Sequence, residues 1–559
     1  MAAEASRSSA AGGAPPEAPP APGGASREMV FALGRGASQR TLLAFLRRDL
    51  SLRALPGQSL QLTYYDTFDW RLHRRGLRLS ARDDEGETAL ALRPVAGGEG
   101  QVMHVAEIPS FASDLEASPF RREIEAVTEV RRLLPVVSVA LQRRGYAVLD
   151  DEEKTVVRLS FETARARGPS EAERSVEMSR TLRVIPLGGY DRACAAILER
   201  LGGRRGVAPV SGDLAERALE AIGCEPADRP GGLRCALDGE APAGAAFLAL
   251  HRALFATVRI NERGVREGID TEHLHDFRVA VRRTRLLHRI FRDELAGTEL
   301  DAIAPNFKWL GRVSNPTRDL DVHLLELRRQ REALADEADA LLPLEELLLQ
   351  RRKEEREKLM AALDSAQYAE LETATAALLD PPRSEAASRI AAMGPPLGPW
   401  ASRRIARAWR RLRKHGADIG EDSPESQLHE VRLDGKRLRY LLEFFRSLYS
   451  AEEIDPLVKE LKRFQDTLGA FNDARVQSLV LRDAARDLAS RNASAEALVA
   501  IGRLAERAEQ RKGAERAKFA KRWKRFDARP NRERFRRLFG SDEENRSDQA
   551  DDTAKEGSA

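Results

Sequence analysis

The residues in this sequence best placed to do chemistry are cations at helical spacing. His275, Arg278, Arg282, Arg285 and Arg289 recur every three or four residues. At about 100° per residue they fall within a wedge of roughly 80° on one helix. His429, Arg432, Lys436 and Arg439 repeat the spacing. Adjacent cations on a helix face repel by a few tenths of a kcal/mol per pair, so helix stability does not explain such a stripe. It suits a ligand with regularly spaced negative charge. Leu274, Phe277, Val281, Leu287 and Phe291 cover much of the remaining circumference. The helix is therefore expected to be largely buried, with its basic stripe facing a groove or a partner rather than bulk solvent.

The two stripes are copies. Each residue from 274 to 285 has its counterpart 154 positions later, and over the 18 residues ending at Phe291 and Phe445 seven are identical. The same ungapped offset pairs Lys308 with Lys462, Asp319 with Asp473 and Val322 with Val476. One fixed offset across separated blocks implies a duplication in which each half is a small helical bundle. Lys308 and Arg312, four apart, add charge to one helix face. Asp319 and Asp473 are better suited to orienting arginines or capping helices than to touching an anion. Lys518, Lys521, Arg522, Lys524 and Arg525 form a less patterned basic helix, readable as plain surface or as further anion contact.

The elements that must position these residues fall into five stretches. Residues 1–27 are low-complexity Ala, Pro, Gly and Ser, expected to be disordered. Residues 28–205 read as an α+β domain with an antiparallel sheet: strands at 60–65, 76–82, 88–93, 154–162 and 181–186, a turn at 83–86, and helices at 40–50 and 190–201. Residues 206–243 read as a Gly, Pro and Ala-rich linker, with one helix possible at 213–222. Residues 244–540 read as all-α, with repeats at about 244–395 and 398–540 and breakers at Ser314-Asn315-Pro316 and Asp380-Pro381-Pro382. Residues 541–559 hold seven acids against two bases and read as a solvated, disordered tail.

Composition narrows the function classes. The net charge is only +4, but 32% of residues are charged, so local distribution matters more than the sum. Cys194, Cys224 and Cys235 have no metal-ligand spacing, and reduced thiols in a cytoplasmic protein are the simplest reading. No uninterrupted apolar run reaches the roughly 18 residues of a membrane span, and the first 27 residues lack a signal-peptide apolar region. The expected location is cytoplasmic, with no membrane partner, metal or cofactor.

The block His275-Asp276-Phe277-Arg278-Val279-Ala280-Val281-Arg282-Arg283-Thr284-Arg285, the block Arg318-Asp319-Leu320-Asp321-Val322 and the second block from His429 to Arg439 resemble the CHAD family, the conserved histidine α-helical domain. The resemblance implies two pseudo-symmetric four-helix bundles with a basic channel between them that binds inorganic polyphosphate, and an association with polyphosphate granules. It implies as ligands His275, Arg278, Arg282, Arg283, Arg285, Arg289, Lys308 and Arg312, with His429, Arg432, Lys436, Arg437, Arg439 and Lys462 opposite. Arginine forks and lysine ammoniums suit phosphate oxygens. The two histidines could donate to phosphate or pin the helices.

The stretch Tyr64-Tyr65-Asp66-Thr67-Phe68-Asp69-Trp70-Arg71-Leu72-His73-Arg74-Arg75-Gly76-Leu77-Arg78-Leu79 resembles the CYTH, or triphosphate tunnel, family. That implies an antiparallel barrel whose tunnel holds a triphosphate on Arg and Lys and a divalent metal on Glu. The family's opening Glu-x-Glu-x-Lys stands here as Glu28-Met29-Val30-Phe31-Ala32, and the late strand at 181–186 has no acids. The domain is therefore expected to be non-catalytic, with Arg78, Arg82 and Arg93 lining a possible anion tunnel. Two alternatives remain: a metal-dependent triphosphatase or polyphosphatase in the N-terminal domain, and nucleic-acid binding. The scarcity of aromatic residues among the basic stripes weighs against single-strand readout.

Overall fold

The structure, a computed structural model, describes residues 28–84, 87–169, 174–226, 235–379 and 384–540. The termini at 1–27 and 541–559, the last two residues of the 83–86 turn and the breaker at 380–382 lie outside the described residues. The chain divides into two units at Arg229/Pro230.

The N-terminal unit is an antiparallel sheet of β1 (Met29–Leu33), β2 (Ser51–Ala54), β3 (Gln58–Asp66), β4 (Leu77–Asp84), β5 (Glu87–Pro94), β6 (Gln101–Val105), β7 (Leu134–Leu149), β8 (Thr155–Arg167), β9 (Val176–Glu177), β10 (Thr181–Pro186) and β11 (Val207–Pro209). The order is β11-β1-β10-β8-β7-β3-β4-β5-β6, with β2 on β7 and β9 on β8. Its helices are α1 (Gln39–Leu46), α2 (Arg71–Arg74), α3 (Pro119–Thr128), α4 (Asp191–Gly202) and α5 (Leu214–Ala221).

Strand alternation sorts the side chains. Leu79, Ala81, Leu90 and Leu92 pack outward with Phe120 and Ile124 of α3. Elsewhere the outer face packs on α1 and α4 through Leu42, Leu46, Ile197 and Leu201. The inner face, including Val137, Val139, Leu141 and Ala164, closes on Leu214, Ala218 and Leu219 of α5. The antiparallel α+β expectation holds.

Two details differ from the sequence reading. Residues 207–221 are not linker: β11 pairs with β1, and α5, N-capped by Asp213, packs on the inner face of the sheet. The longest strand, β7, was not anticipated, because its Gln142-Arg143-Arg144-Gly145 stretch breaks the apolar alternation.

The C-terminal unit is helical: α6 (Ala243–Glu267), α7 (Thr271–Ile290), α8 (Leu300–Val313), α9 (Asn315–Leu334), α10 (Leu342–Leu363), α11 (Ala366–Leu379), α12 (Glu385–Ala391), α13 (Leu397–Ala417), α14 (Glu425–Phe444), α15 (Ala451–Ser490), α16 (Ala495–Ala517), α17 (Phe519–Phe526) and α18 (Arg529–Phe539). The starts of α6 and α13, and both ends of α7 and α14, obey the 154-residue offset. The α8–α9 pair corresponds to the single 40-residue α15. Pro316, which has no proline at its counterpart, opens α9 and accounts for the break, since proline cannot donate a helical hydrogen bond. Each repeat is thus four long helical segments followed by two short helices.

A twofold relation is written in the hydrogen bonds where the repeats begin. The amide of Ala243 donates to Pro395 O and that of Leu397 to Ala241 O, both at 2.9 Å. Likewise Gly244 N donates to Met393 O and Gly398 N to Gly239 O. Within each pair, one bond is the other shifted by the repeat offset. A shared core containing Phe247, Phe277, Phe307, Trp400, Leu438 and Phe464 joins the repeats. A second, where α9 and α10 meet α15 and α16, joins their far ends. By length and composition α6 could cross a membrane, but Phe247, Leu250, Leu254 and Val258 place its apolar face in this core.

Gly244 tests the clamp. Alanine in a helix interior gains about 1 kcal/mol over glycine, but a Cβ here would lie 1.9 Å from Ile390 O, a backbone atom that cannot swing aside. Overpacking of this kind costs about 1–3 kcal/mol or more. Gly244→Ala is expected to lower the denaturation midpoint. Gly513→Ala in α16, where a Cβ meets nothing within 4 Å, is expected to raise it by up to about 1 kcal/mol. Denaturant melts of the two variants check both signs.

Candidate polyanion site

α7 starts at Asp270, whose carboxylate accepts from the amides of Glu272 and His273. Leu274, Phe277, Val281 and Leu287 fix the inward face, which leaves His275, Arg278, Arg282, Arg285 and Arg289 on the other. In α14, Leu428, Val431, Leu438 and Leu441 do the same for Arg432, Lys436 and Arg439.

The twofold relation brings the two stripes together at their middles. Arg282 and Lys436 occupy equivalent positions and lie within electrostatic reach of one another. Burial, and then Arg432, Arg282 and Arg439, pull the Lys436 ammonium down to about 8. Arg282 also acts on Arg432 and its guanidinium stands 5.8 Å from the ring centre of Tyr440. Neither Arg282 nor Lys436 is in an ion pair among the described residues.

Other predicted residues differ in their freedom. Arg282, Arg289, Lys308, Arg312, His429 and Lys462 are exposed. Arg278 is held: it donates to Gly311 O and Ser314 Oγ, both at 3.1 Å, and to Asn315. Burial lowers it to about 10, with Asp319 opposing. Arg285 is lowered by burial and by Arg289, and lies across Gly311, where a Cβ would come within 2.7 Å of its guanidinium. Arg278, Arg282, Arg285 and Arg312 line a cavity of about 560 Å3. Arg285, Arg289, Arg292 and Lys308 line a neighbouring one of about 400 Å3, with Asp301 also in its wall. His275 is half-buried and lowered by burial and by Arg318.

Two expected ligands are neutralised by the protein itself. Arg283 pairs with Glu443 at 2.7 Å, and Arg439 approaches the same carboxylate at 3.4 Å. Glu443 was not anticipated: it stands where the first repeat has Arg289. Arg437, the equivalent of Arg283, is lowered by burial and then by Arg411 and Arg404, with Asp434 opposing and Arg289 adding to the repulsion.

Asp319 and Asp473 orient the stripes. Asp319 faces Arg278 and His323, and Asp473 faces Arg432, Lys436 and the same His323. His323, placed between the two repeats' acids, was not anticipated either. Arg318, part of the quoted motif but not of the expected ligand set, donates to Thr271 O and pairs with Glu272. His251 and His288, with ring centres 5.0 Å apart, are both lowered by burial, His288 to about 4. They serve as neutral core rings.

In the N-terminal unit the possible anion tunnel is largely self-neutralised. Arg78 contacts Asp213 at 2.9 Å and Glu216 at 2.5 Å, both supplied by the α5 region. Arg82 is half-buried, and Arg93, paired in register with Arg78, is exposed. Glu162, which the sequence reading missed, is only 2% exposed. It accepts from Arg143 at 2.9 Å and Arg183 at 3.1 Å. Arg183 also reaches Glu28 at 2.7 Å. A guanidinium thus bridges the two carboxylates, so this donor set does not fit the divalent cation implied by the triphosphate-tunnel resemblance. No cluster of three metal-ligating side chains occurs among the described residues.

Residues 249–482 match the family model of the CHAD domain. The chain is similar to the CHAD domain from the plant Ricinus communis, with 27% identity over 55% of this chain and 97% of that one and a TM-score of 0.42. It is also similar to PptA from Streptomyces chartreusis, at 18% identity over 51% of this chain and 99% of that one, with a TM-score of 0.38. A candidate adenylyl cyclase from Hippeastrum with a dominant triphosphatase activity is similar over 35% of this chain and 96% of its own, at 13% identity and a TM-score of 0.25. No curated protein matches. The match to the CHAD domain across 249–482 thus falls on the duplicated helical unit with its paired basic stripes.

Proposed function

We propose that this chain binds inorganic polyphosphate in the groove between α7 and α14, that it associates with polyphosphate granules in the cytoplasm, and that its N-terminal unit is non-catalytic. The observation that carries the reading is the meeting of Arg282 with Lys436, cation against cation, with neither in an ion pair among the described residues. A linear polyanion relieves that repulsion and accepts from both.

A metal-dependent triphosphatase in the N-terminal unit is the second reading. It is disfavoured by Arg183 standing between Glu28 and Glu162, where a phosphoryl-transfer site needs a metal. Nucleic-acid binding is disfavoured because Tyr440, Phe247 and Phe291, rings beside the groove and its neighbouring cavity, are buried and not available for base stacking.

Charge reversal of both Arg282 and Lys436 is expected to weaken long-chain polyphosphate binding by about a hundredfold at moderate salt and to flatten the salt dependence. Titration at several salt concentrations measures this. DNA of equal phosphate content should fail to displace the bound polyphosphate; equal displacement would point to a general polyanion surface instead.

The pH dependence has a definite sign. A bound anion raises the Lys436 value above its free value of about 8. Below that pH the ammonium is charged in both states and affinity is full. Above it the free protein must take up a proton to bind, and affinity falls by up to about tenfold per pH unit. Lys436→Arg should abolish the fall, because a guanidinium stays charged. Binding curves between about pH 7 and pH 9, below the Arg278 value of about 10, compare the two.

With magnesium or manganese present, the full chain is expected to release no phosphate from tripolyphosphate over long incubation. Release that disappears in Glu162→Gln would establish the enzymatic reading in its place.

A further inference from the structure

The groove is not symmetric, and its asymmetry points outward along α13. At one end Glu443 neutralises Arg283 and Arg439. At the equivalent contact at the other end, Arg437 meets Arg289, Arg404 and Arg411. Three acids temper that end. Glu294 pairs with Arg404 at 2.6 Å, and Asp293 approaches the same guanidinium at 3.6 Å. Asp434 is shared among Arg411, His415 and Arg437. Charge therefore remains in excess where α14 touches α13.

α13 continues the track. Between Leu397 and Ala417 it carries Arg403, Arg404, Arg407, Arg410, Arg411, Arg413 and Lys414 and no acid. Its inward face is set by Trp400, Ile405, Trp409 and Leu412. Arg403, Arg407, Arg410 and Lys414 are exposed and fall within a wedge of about 60° that runs some 16 Å along the helix. Arg403, Arg407 and Lys414 make no ion pair among the described residues. Arg404 and Arg411 lie on the flank of that wedge, toward Arg437.

The fold does not require this stripe. In α6, the equivalent helix, the same positions are Ala249, Ala253, Ala256 and Ile260, and all are at least partly exposed. A scaffold that works with alanine there has instead accumulated four cations that repel one another. The helix buries both its tryptophans, so the stripe offers no ring for base stacking and no apolar edge for a lipid surface.

We infer that α13 is a second, outer segment of the polyanion site, over which a long polyphosphate chain continues after leaving the groove past Arg289 and Arg437. The inference rests on the polyphosphate reading of the groove and assigns that site a preference for long chains. The inner segment holds phosphates between two helices. The outer one adds affinity only for a chain long enough to reach it, as a tethered second contact does.

The test uses the full chain carrying Arg403→Glu, Arg407→Glu and Lys414→Glu together, with the corresponding Gln triple variant as a milder form. The probes are long-chain polyphosphate and a polyphosphate short enough to lie within the groove. Long-chain affinity is expected to fall about tenfold or more and its salt slope to drop by about two to three, with short-chain affinity within about twofold of wild type. An unchanged long-chain affinity overturns the inference, as does an equal loss on both probes, which would mean a diffuse field. Loss of DNA binding with long-chain polyphosphate binding intact would overturn it in favour of a nucleic-acid face. If the unaltered chain binds neither probe, the groove reading fails first.

Discussion

A twofold axis places a residue that lies close to it near that residue's own copy, and for a charged residue that means like against like. This constraint organises the helical unit. The backbone clamp at Ala243 and Leu397 and the shared aromatic core hold the repeats in register. Held so, α7 and α14 bring Arg282 to Lys436 whether or not the meeting is favourable. Burial first, and then Arg432 and Arg282, lower the lysine that results. Packing of the apolar faces is strong enough to sustain the meeting, because each buried Phe or Leu contributes about 1.5–3 kcal/mol against a few tenths per exposed cation pair.

The departures from symmetry are as informative as the symmetry. Acids at Asp319 and Asp473 are duplicated, and both act on the one His323, so the stripes are oriented equally from each side. Glu443 is not duplicated: its counterpart is Arg289. One substitution between repeats turns an attractive contact into a repulsive one and gives the groove a direction. The all-apolar equivalent of the α13 stripe makes the same point on a larger scale.

The N-terminal unit handles buried charge in the opposite way. Arg78, Arg143 and Arg183 are met by the protein's own carboxylates: Asp213 and Glu216 from the α5 region, Glu162 of β8, and Glu28 just before β1. A buried ion that loses water must be paired or change its protonation, and here the pairing is internal. In the helical unit, by contrast, Arg282 and Lys436 face each other without an ion pair among the described residues.

The sequence by itself determined the repeat, the helix type and the identity of the stripe, because these rest on local periodicity and on a fixed offset that any packing must respect. Thus the existence of α7 and α14 and the wedge from His275 to Arg289 were legible in advance, as were β10 and, as a possibility within a linker, a helix at 213–222. Only the tertiary structure decided which cations are free. Arg278 is held by Gly311, Ser314 and Asn315, Arg283 by Glu443, and Arg78 by residues well over a hundred positions away. The basic residues of α13 were equally visible in the sequence. Their meaning depends on which face Trp400 and Trp409 bury and on Arg437 lying beside them. Whether a cation is a ligand or a structural partner depends on the distance to the nearest acid in space, and chain folding sets that distance between residues that share no local pattern.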